Sequence, residues 1–67
     1  MTIGERIREE RLARRLTQSV CGARMGVSRS RWADIEAGRK SMTLDTLGAV
    51  AKALGLQVEI RLVEISL

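Results

Sequence analysis

Apolar residues recur at helical spacing through most of the chain and alternate with polar residues near its end. The most regular stretch covers residues 43–55, and its apolar residues are Leu44, Leu47, Val50, Ala51 and Leu54. Thr43 is a good N-terminal cap for a helix, and Gly55 is a common stop signal. The pattern therefore predicts a helix that begins after Thr43 and ends before Gly55.

A shorter helix is predicted at the start of the chain. Thr2 can cap it, and Glu5, three residues further on, completes a capping box. Its sparse apolar stripe consists of Ile3, Ile7 and Leu12. Most of its other residues are charged, so we expect a surface helix that ends near Arg15.

Two more short helices follow, over residues 18–25 and 29–37. Thr17 and Ser28 can cap their first turns. Gly26 lies between the helices and can take the left-handed conformation that a tight turn needs. The apolar residues expected on the inner side of this unit are Val20, Cys21, Met25, Val27, Trp32 and Ile35.

The end of the chain changes period. Val58, Ile60 and Leu62 alternate with Gln57, Glu59 and Arg61, and this alternation predicts a β-strand over residues 57–64. A lone strand has no partner in a helical chain, and an unpaired edge invites association. We therefore predict that the strand pairs with its copy from a second subunit. The expected fold class is mainly all-α. Four helices form the domain, and the C-terminal strand of each subunit pairs with that of the other.

The composition fits one small domain that covers residues 1–67. Apolar residues make up 45% of the chain, and the absence of Phe and Tyr makes the core aliphatic except for one Trp. The single cysteine cannot form an internal disulfide. The first residues lack a hydrophobic signal region, and no apolar run is long enough to span a membrane. An intracellular, cytoplasmic protein without membrane contact is expected.

The charge is unevenly distributed. Residues 1–40 contain ten Lys or Arg and five Asp or Glu, whereas residues 41–67 contain two and three. An excess of positive charge in one part of a small domain indicates an anionic partner such as nucleic acid. Charge alone leaves a second interpretation open, which is a solvated basic surface.

The order of the motifs is more specific. Gly22 is the small residue that two short helices need where they cross, and Gly26 supplies the turn between them. The segments IGERIREERLARRLTQ, GVSRSRWADIEAGRK and TLDTLGAVAKALG follow one another within residues 3–55. Together they resemble the lambda-repressor/Cro-like (XRE) family. The resemblance implies a compact four-helix helix-turn-helix domain whose third helix enters the DNA major groove.

The resemblance also implies roles for individual residues. The positions that match base-facing residues of the family are Arg29, Ser30, Ala33 and Asp34. Those that match contacts to the DNA backbone are Gln18, Arg31, Arg39 and Lys40. Arg29 can form two hydrogen bonds with guanine. Asp34 either accepts from cytosine or orients Arg29 or Arg31, and we favour the orienting role because phosphates repel a carboxylate.

Other residues are expected to serve the structure. Arg11 and Glu36 match a pair that forms an internal salt bridge in the family. Trp32 matches an inward aliphatic position, so it is expected in the core rather than stacked on a base. Cys21 is expected to be a small buried hydrophobe. Packing is expected of Met25 and Met42, and a solvated surface position of Arg14, Arg15 and Arg24.

The function implied is a sequence-specific DNA-binding transcriptional repressor that acts as a homodimer on a palindromic operator. The final strand resembles that of short HipB-like antitoxins, which would add autoregulation and a toxin partner, but phage-type and solitary regulators share the pattern. Val63, Ile65 and Leu67 would extend the dimer contact or dock that partner. The alternative is a protein-interaction module that keeps the fold without binding DNA.

Enzyme chemistry finds no support in the sequence. Histidine is absent, the carboxylates are scattered, and no glycine-rich phosphate loop occurs. We therefore expect no catalytic residue, no metal, no cofactor and no small-molecule substrate.

Overall fold

The computed structural model describes residues 1–66, which fold into a four-helix body followed by an extended tail. The helices are α1 (Ile3–Ala13), α2 (Gln18–Met25), α3 (Arg29–Ala37) and α4 (Leu44–Ala53). All four predicted helices are therefore present. Residues 2–56 are called the helical body below, and residues 57–66 are called the tail.

The caps lie where the sequence predicts them. Each helix begins after a hydroxyl residue whose side chain accepts a hydrogen bond from the backbone N–H three residues further on, and these residues are Thr2, Thr17, Ser28 and Thr43. Gly26 ends α2 in the left-handed region, at φ 77°. The predicted turn between α2 and α3 is thus confirmed, and a residue with a Cβ would be strained there.

Helix α1 ends earlier than the predicted Arg15. Arg14 is its C-cap, and Arg15 lies in the left-handed region at φ 55°. This turn lets the N–H of Leu16 donate to the carbonyl of Arg11 at 3.1 Å. Leu16 can then pack against the core while the chain turns towards α2.

The core is small and mostly aliphatic. Its buried apolar residues are Ile7, Cys21, Trp32, Ile35, Val50, Ala53 and Leu54. Cys21, Trp32 and Val50 are fully buried, as expected for the first two from the sequence. Met25 and Met42 pack at the edge of this cluster, which agrees with the packing role predicted for them.

Some residues expected on inner faces are exposed. Leu12 is 53% exposed, Val20 42% and Leu44 67%, so placing them in the apolar stripes was wrong. In α1 the buried stripe consists of Gly4, Ile7 and Arg11. A helix turns about 100° per residue, so Arg11 falls near the direction of Ile7 while Leu12 points well to the side.

Two glycines allow the helices to approach closely. A Cβ on Gly22 would lie 2.9 Å from the carbonyl oxygen of Val27, so the predicted need for a small residue there is confirmed. A Cβ on Gly4 would collide with the backbone carbonyl of Glu36. The sequence analysis did not identify Gly4, which brings α1 against the end of α3.

The tail forms no strand among residues 1–66. The prediction of a strand over residues 57–64 is therefore not met within one chain, because a strand needs a neighbour to hydrogen-bond with. Val58 is partly buried, but Ile60 is 61% exposed and Leu62 97%. Val63 and Ile65 are also exposed, and Leu67 lies outside the described residues.

No helix within residues 1–66 is long and apolar enough to cross a membrane. The same part of the chain holds no cluster of three or more His, Cys, Asp or Glu residues that could bind a metal ion.

Candidate nucleic-acid interface

The outer face of α3 carries the residues that the sequence assigned to base reading. Arg29 and Ser30 are exposed, and Ala33 and Asp34 are partly buried. Trp32 and Ile35 point inward and are 0% and 5% exposed. The helix therefore separates an inner apolar side from an outer side on which positions 29, 30, 33 and 34 lie together.

The start of α3 is held firmly by the turn before it. The N–H of Val27 donates to the carbonyl of Gly22 at 2.8 Å, and the hydroxyl of Ser28 accepts from the N–H of Arg31 at 3.1 Å. Because these bonds fix the first turn of α3 against α2, the side chain of Arg29 leaves the body from a defined position.

A buried ion pair connects α1 with α3. The Nε of Arg11 donates to Oε2 of Glu36 at 2.6 Å, and Nη2 donates to Oε1 at 3.1 Å. The third contact of the guanidinium is from Nη1 to the carbonyl of Leu16, at 2.9 Å. The side chains are only 10% and 4% exposed. A pair with two parallel bonds fixes distance and orientation together.

Two further donors converge on the same carboxylate. The indole N–H of Trp32 donates to Oε2 of Glu36, and the amide of Gln18 donates to Oε1 at 3.2 Å. Glu36 therefore joins α1, α2 and α3 through three side chains. This cluster of Arg11, Gln18, Trp32 and Glu36 is called the Glu36 network below.

The network determines the charge of its members. Burial opposes ionisation of Glu36, but the hydrogen bonds from Arg11, Trp32 and Gln18 outweigh it and hold the pKa of this carboxyl below its ordinary value. The bond to Glu36 likewise raises the pKa of Arg11. The buried pair is thus stable as two charges, which is the state that its geometry requires.

Gln18 and Arg29 border one polar depression in the surface. Its lining residues are Arg8, Arg11, Leu16, Thr17, Gln18, Ser19 and Arg29. The amide of Gln18 is held at the first position of α2 by Glu36, and the exposed Arg29 begins α3. The sequence analysis did not single out Arg8, although it lies three residues before Arg11 and hence on the same side of α1.

Asp34 contacts a different arginine from those predicted. Its Oδ1 lies 3.1 Å from Nη1 of Arg39, and the backbone N–H of Arg39 donates to the carbonyl of Asp34 at 3.1 Å. The structure therefore pairs Asp34 with Arg39, whereas the sequence led us to expect that it orients Arg29 or Arg31. Helix α3 ends at Gly38 in the left-handed region, and this turn carries Arg39 back beside Asp34.

The remaining basic residues differ in their contacts. Arg31 and Lys40 are exposed, one on α3 and the other just after it. Arg14 pairs with Glu10 on the exposed side of α1 at 2.6 Å. Arg24 is exposed, as predicted, and its Nη1 also donates to the carbonyl of Ala53 at 3.0 Å. It ties the end of α2 to a free carbonyl in the last turn of α4.

Comparison with known proteins adds an independent result. Residues 2–62 match a family model described as a helix-turn-helix domain. The chain is similar to the immunity repressor protein of Bacillus phage phi105, with 50% identity over 58 residues. That alignment covers 87% of this chain but 40% of the phage protein, so the chain spans less than half of its relative's length. No solved structure matches the chain.

Proposed function

Because the chain belongs to the lambda-repressor/Cro-like (XRE) family of helix-turn-helix regulators, we propose that it is a sequence-specific DNA-binding transcriptional repressor. The observation that carries the proposal is the outer face of α3, where Arg29, Ser30, Ala33 and Asp34 lie together above a fixed, buried inner side. The name of the phage relative, an immunity repressor, supports the repressor role.

In the proposed complex, the first turn of α3 lies in the major groove. Arg29 donates two hydrogen bonds to the edge of a guanine, which is the commonest specific contact of this kind. Ser30 reaches a neighbouring base edge, and Ala33 is small enough to contact a thymine methyl. The fixed turn at Gly26 keeps these side chains in register with the bases.

The backbone contacts surround this helix. Gln18, at the start of α2, and Arg31, Arg39 and Lys40 around α3 would bind phosphates on either side of the groove. The Glu36 network holds Gln18 in place, so its amide meets the DNA without losing much conformational freedom. These contacts set the position of the protein and supply affinity that depends on salt.

Asp34 would act against indiscriminate binding. Its carboxylate repels phosphates, and its pairing with Arg39 draws one positive charge towards the helix. Replacing Asp34→Asn removes the repulsion and ends the competition between Asp34 and phosphate for Arg39. We therefore expect tighter binding to random DNA. An unchanged affinity for random DNA in titrations would contradict this role.

We further propose that the protein acts as a homodimer on a palindromic operator. Two copies of α3 must reach half-sites about 34 Å apart, which one domain cannot do alone. The tail offers the contact between copies, because its residues 57–64 alternate apolar and polar side chains and form no strand within residues 1–66. Pairing of Val58, Ile60 and Leu62 with a second copy would satisfy both the side chains and the backbone.

The relative favours a phage-type repressor over an antitoxin. An antitoxin would need a toxin bound to this chain, with the tail as the available surface. That second hypothesis predicts a toxin gene beside the gene of this protein, and co-purification of the two products. Without both, the antitoxin hypothesis fails and the repressor proposal is unaffected.

The central experiment compares two arginine substitutions. Arg29→Ala should weaken binding to a selected operator and relax the preference at one base pair by about 1–3 kcal/mol. Arg14→Ala removes the same charge from α1, on the exposed pair with Glu10, and should change neither. Selection from random DNA supplies the operator, and fluorescence anisotropy measures both variants. Equal effects of the two substitutions would remove Arg29 from the reading surface.

A second measurement separates DNA binding from a pure adaptor function. The affinity of the unmodified chain for the operator should fall steeply as salt rises. Lys40→Ala should weaken operator and random DNA alike and reduce that salt dependence by about one contact. A protein-interaction module without DNA function would retard no DNA even at low salt.

A further inference from the structure

The helical body contains an apolar groove that its own residues do not fill. Helix α1 packs on α3 and α4 packs on α2, which leaves a channel between α1 and α4. The larger apolar residues that line this groove include Ile3, Ile7, Leu47, Val50, Leu54 and Val58. Ile3, at its edge, is 57% exposed. No residue of α3 is among those that line the groove, so it is an apolar surface separate from the outer face of α3.

The tail carries apolar side chains that find no cover among the described residues and that an apolar groove can accept. Val58 already lines the groove of its own chain. In an extended segment, Ile60 and Leu62 continue the same face, because alternate residues point the same way. These two side chains are 61% and 97% exposed. The apolar face of the tail thus begins in the groove at Val58 and continues into solvent at Ile60 and Leu62.

The dimensions show that the tail leaves its own body. The radius of gyration is 12.9 Å, compared with about 11 Å for a compact chain of this length. The longest dimension is 45 Å and the other two are 22 and 21 Å. Ten extended residues span about 30 Å, which is enough to cross the width of a second body. The tail therefore reaches a neighbouring copy without any rearrangement of its own helices.

The charges at the two surfaces are compatible. The ionisable residues at the groove are Arg6 and Glu10, one of each sign. Glu59 and Arg61, which flank Ile60, are also one of each sign. Arg6 and Glu10 already pair with each other at 3.2 Å, so contact between tail and groove brings no net like charge together.

We propose that Ile60 and Leu62 of one copy dock in the groove between α1 and α4 of a second copy, which returns the same contact. This inference deepens the proposed function, since it rests on the homodimer and names the surface that joins it. An exchange of identical segments is closed by a two-fold axis and leaves no free groove. It also places the contact away from α3, so both reading helices stay available to DNA.

Cysteine cross-linking tests the proposal directly. One protein carries Ile3→Cys and a second, distinguished by a mass tag, carries Leu62→Cys. The unmodified protein is the control, because Cys21 is fully buried. Oxidation of the mixture should give a disulfide between the two different proteins. No mixed product, or a mixture in which Leu62→Cys proteins join only one another, would overturn the proposal.

Sedimentation supplies the quantitative test. Leu62→Glu and Ile3→Glu should each raise the dissociation constant of the dimer by roughly tenfold or more, because each places a charge in an apolar contact. Val63→Glu is the matched control, since Val63 points to the opposite face of the tail, and it should have less than about a third of that effect. Equal shifts for Leu62→Glu and Val63→Glu would also overturn the proposal.

The double variant Ile3→Cys/Leu62→Cys excludes docking within one chain. Exchange between copies predicts disulfide dimers whose yield rises with protein concentration. A disulfide formed inside the monomer, at a rate independent of concentration, would show that the tail folds back on its own groove and would refute the exchange. Mobility shifts of the same proteins decide separately whether DNA is bound, so failure of the exchange leaves the proposed DNA function standing.

Discussion

The helical body and the tail differ in how far their apolar side chains are buried. In the helical body Cys21, Trp32 and Val50 are fully buried, whereas in the tail Leu62 is 97% exposed. Every buried side-chain nitrogen or oxygen within residues 1–66 has a hydrogen-bond partner, and all of these partners lie in the same chain. The buried polar groups of the body are therefore satisfied within it, while the apolar side chains of the tail stay exposed among the described residues.

The difference shows what a sequence pattern requires before it becomes structure. A helix satisfies its backbone with bonds four residues apart, so α1 to α4 form from local residues once their apolar sides find each other. A strand satisfies its backbone only against a neighbour. A regular spacing of apolar residues thus produces helices in the body but only an extended segment in the tail.

The largest expected effect comes from breaking the body at Glu36. Glu36→Ala leaves the guanidinium of Arg11 buried without its partner, which costs about 3–5 kcal/mol. A domain of this size has a total free energy of unfolding of about 3–10 kcal/mol. We therefore expect a largely unfolded protein at physiological temperature, measured by circular dichroism in urea titrations.

Glu10→Ala is the matched control for that substitution. Glu10 also pairs with two arginines, Arg6 and Arg14, but on the exposed side of α1. Water screens exposed ion pairs, so the free energy of unfolding should change little. If both substitutions cost the same, burial of the Glu36 network would have no special importance for the fold.

The next largest effect compares two leucines. Leu54 is 3% exposed in the body and Leu62 is 97% exposed in the tail. Leu54→Ala should lower the free energy of unfolding by about 2–5 kcal/mol because it leaves a cavity. Leu62→Ala should change it by less than about 0.5 kcal/mol when measured at concentrations where the protein is a monomer. A large effect of Leu62→Ala on the monomer would place the tail inside the body.

Two helical glycines sharpen the comparison within the body. Gly4→Ala forces a Cβ against the carbonyl of Glu36 and should destabilise the fold by about 1–3 kcal/mol. Gly48 lies within α4, where a Cβ would meet nothing within 4 Å. Gly48→Ala should stabilise by about 0.5–1 kcal/mol, since glycine is a poor helix former. The melting temperatures of both variants show the direction of each change. If Gly4→Ala raised the melting temperature as Gly48→Ala should, the close approach at Gly4 would be refuted.

The smallest effect is the pH dependence of the body. The pKa of Glu36 is held below its ordinary value of 4.5, so this carboxylate favours the folded state fully above about pH 4.5. Its contribution is lost as the pH falls through the lower pKa of the folded protein. The free energy of unfolding of the unmodified protein should therefore fall as the pH is lowered below about 4.5. Urea titrations at several pH values should detect this, and a free energy of unfolding that stays constant over this range would argue against the shift.

Much of the fold follows from local sequence. The caps Thr2, Thr17, Ser28 and Thr43 and the turn at Gly26 are short-range features, and the structure has each where the sequence places it. Inner faces were harder to predict. Leu12 and Val20 are apolar yet exposed, because hydrophobic character alone does not give the rotation of a short helix relative to its neighbours.

The candidate site shows the same limit. Helical period alone places positions 29, 30, 33 and 34 on one side of α3, and the family resemblance suggested that Arg11 and Glu36 would meet. Neither predicted that Trp32 and Gln18 would also donate to Glu36, nor that Asp34 would pair with Arg39. Such contacts join residues whose relative positions depend on how helices are docked.

By itself the sequence determined the four helices, their starting residues and the tight turn, because each depends on bonds between residues a few positions apart. Tertiary structure alone decided the close approach at Gly4, the three donors of Glu36 and the exposure of the tail. These depend on the distance between elements, which is fixed only when the core packs. For Ile60 and Leu62, residues 1–66 provide no strand partner and leave both side chains exposed, because an extended segment needs a neighbour that the packing of the helices does not supply.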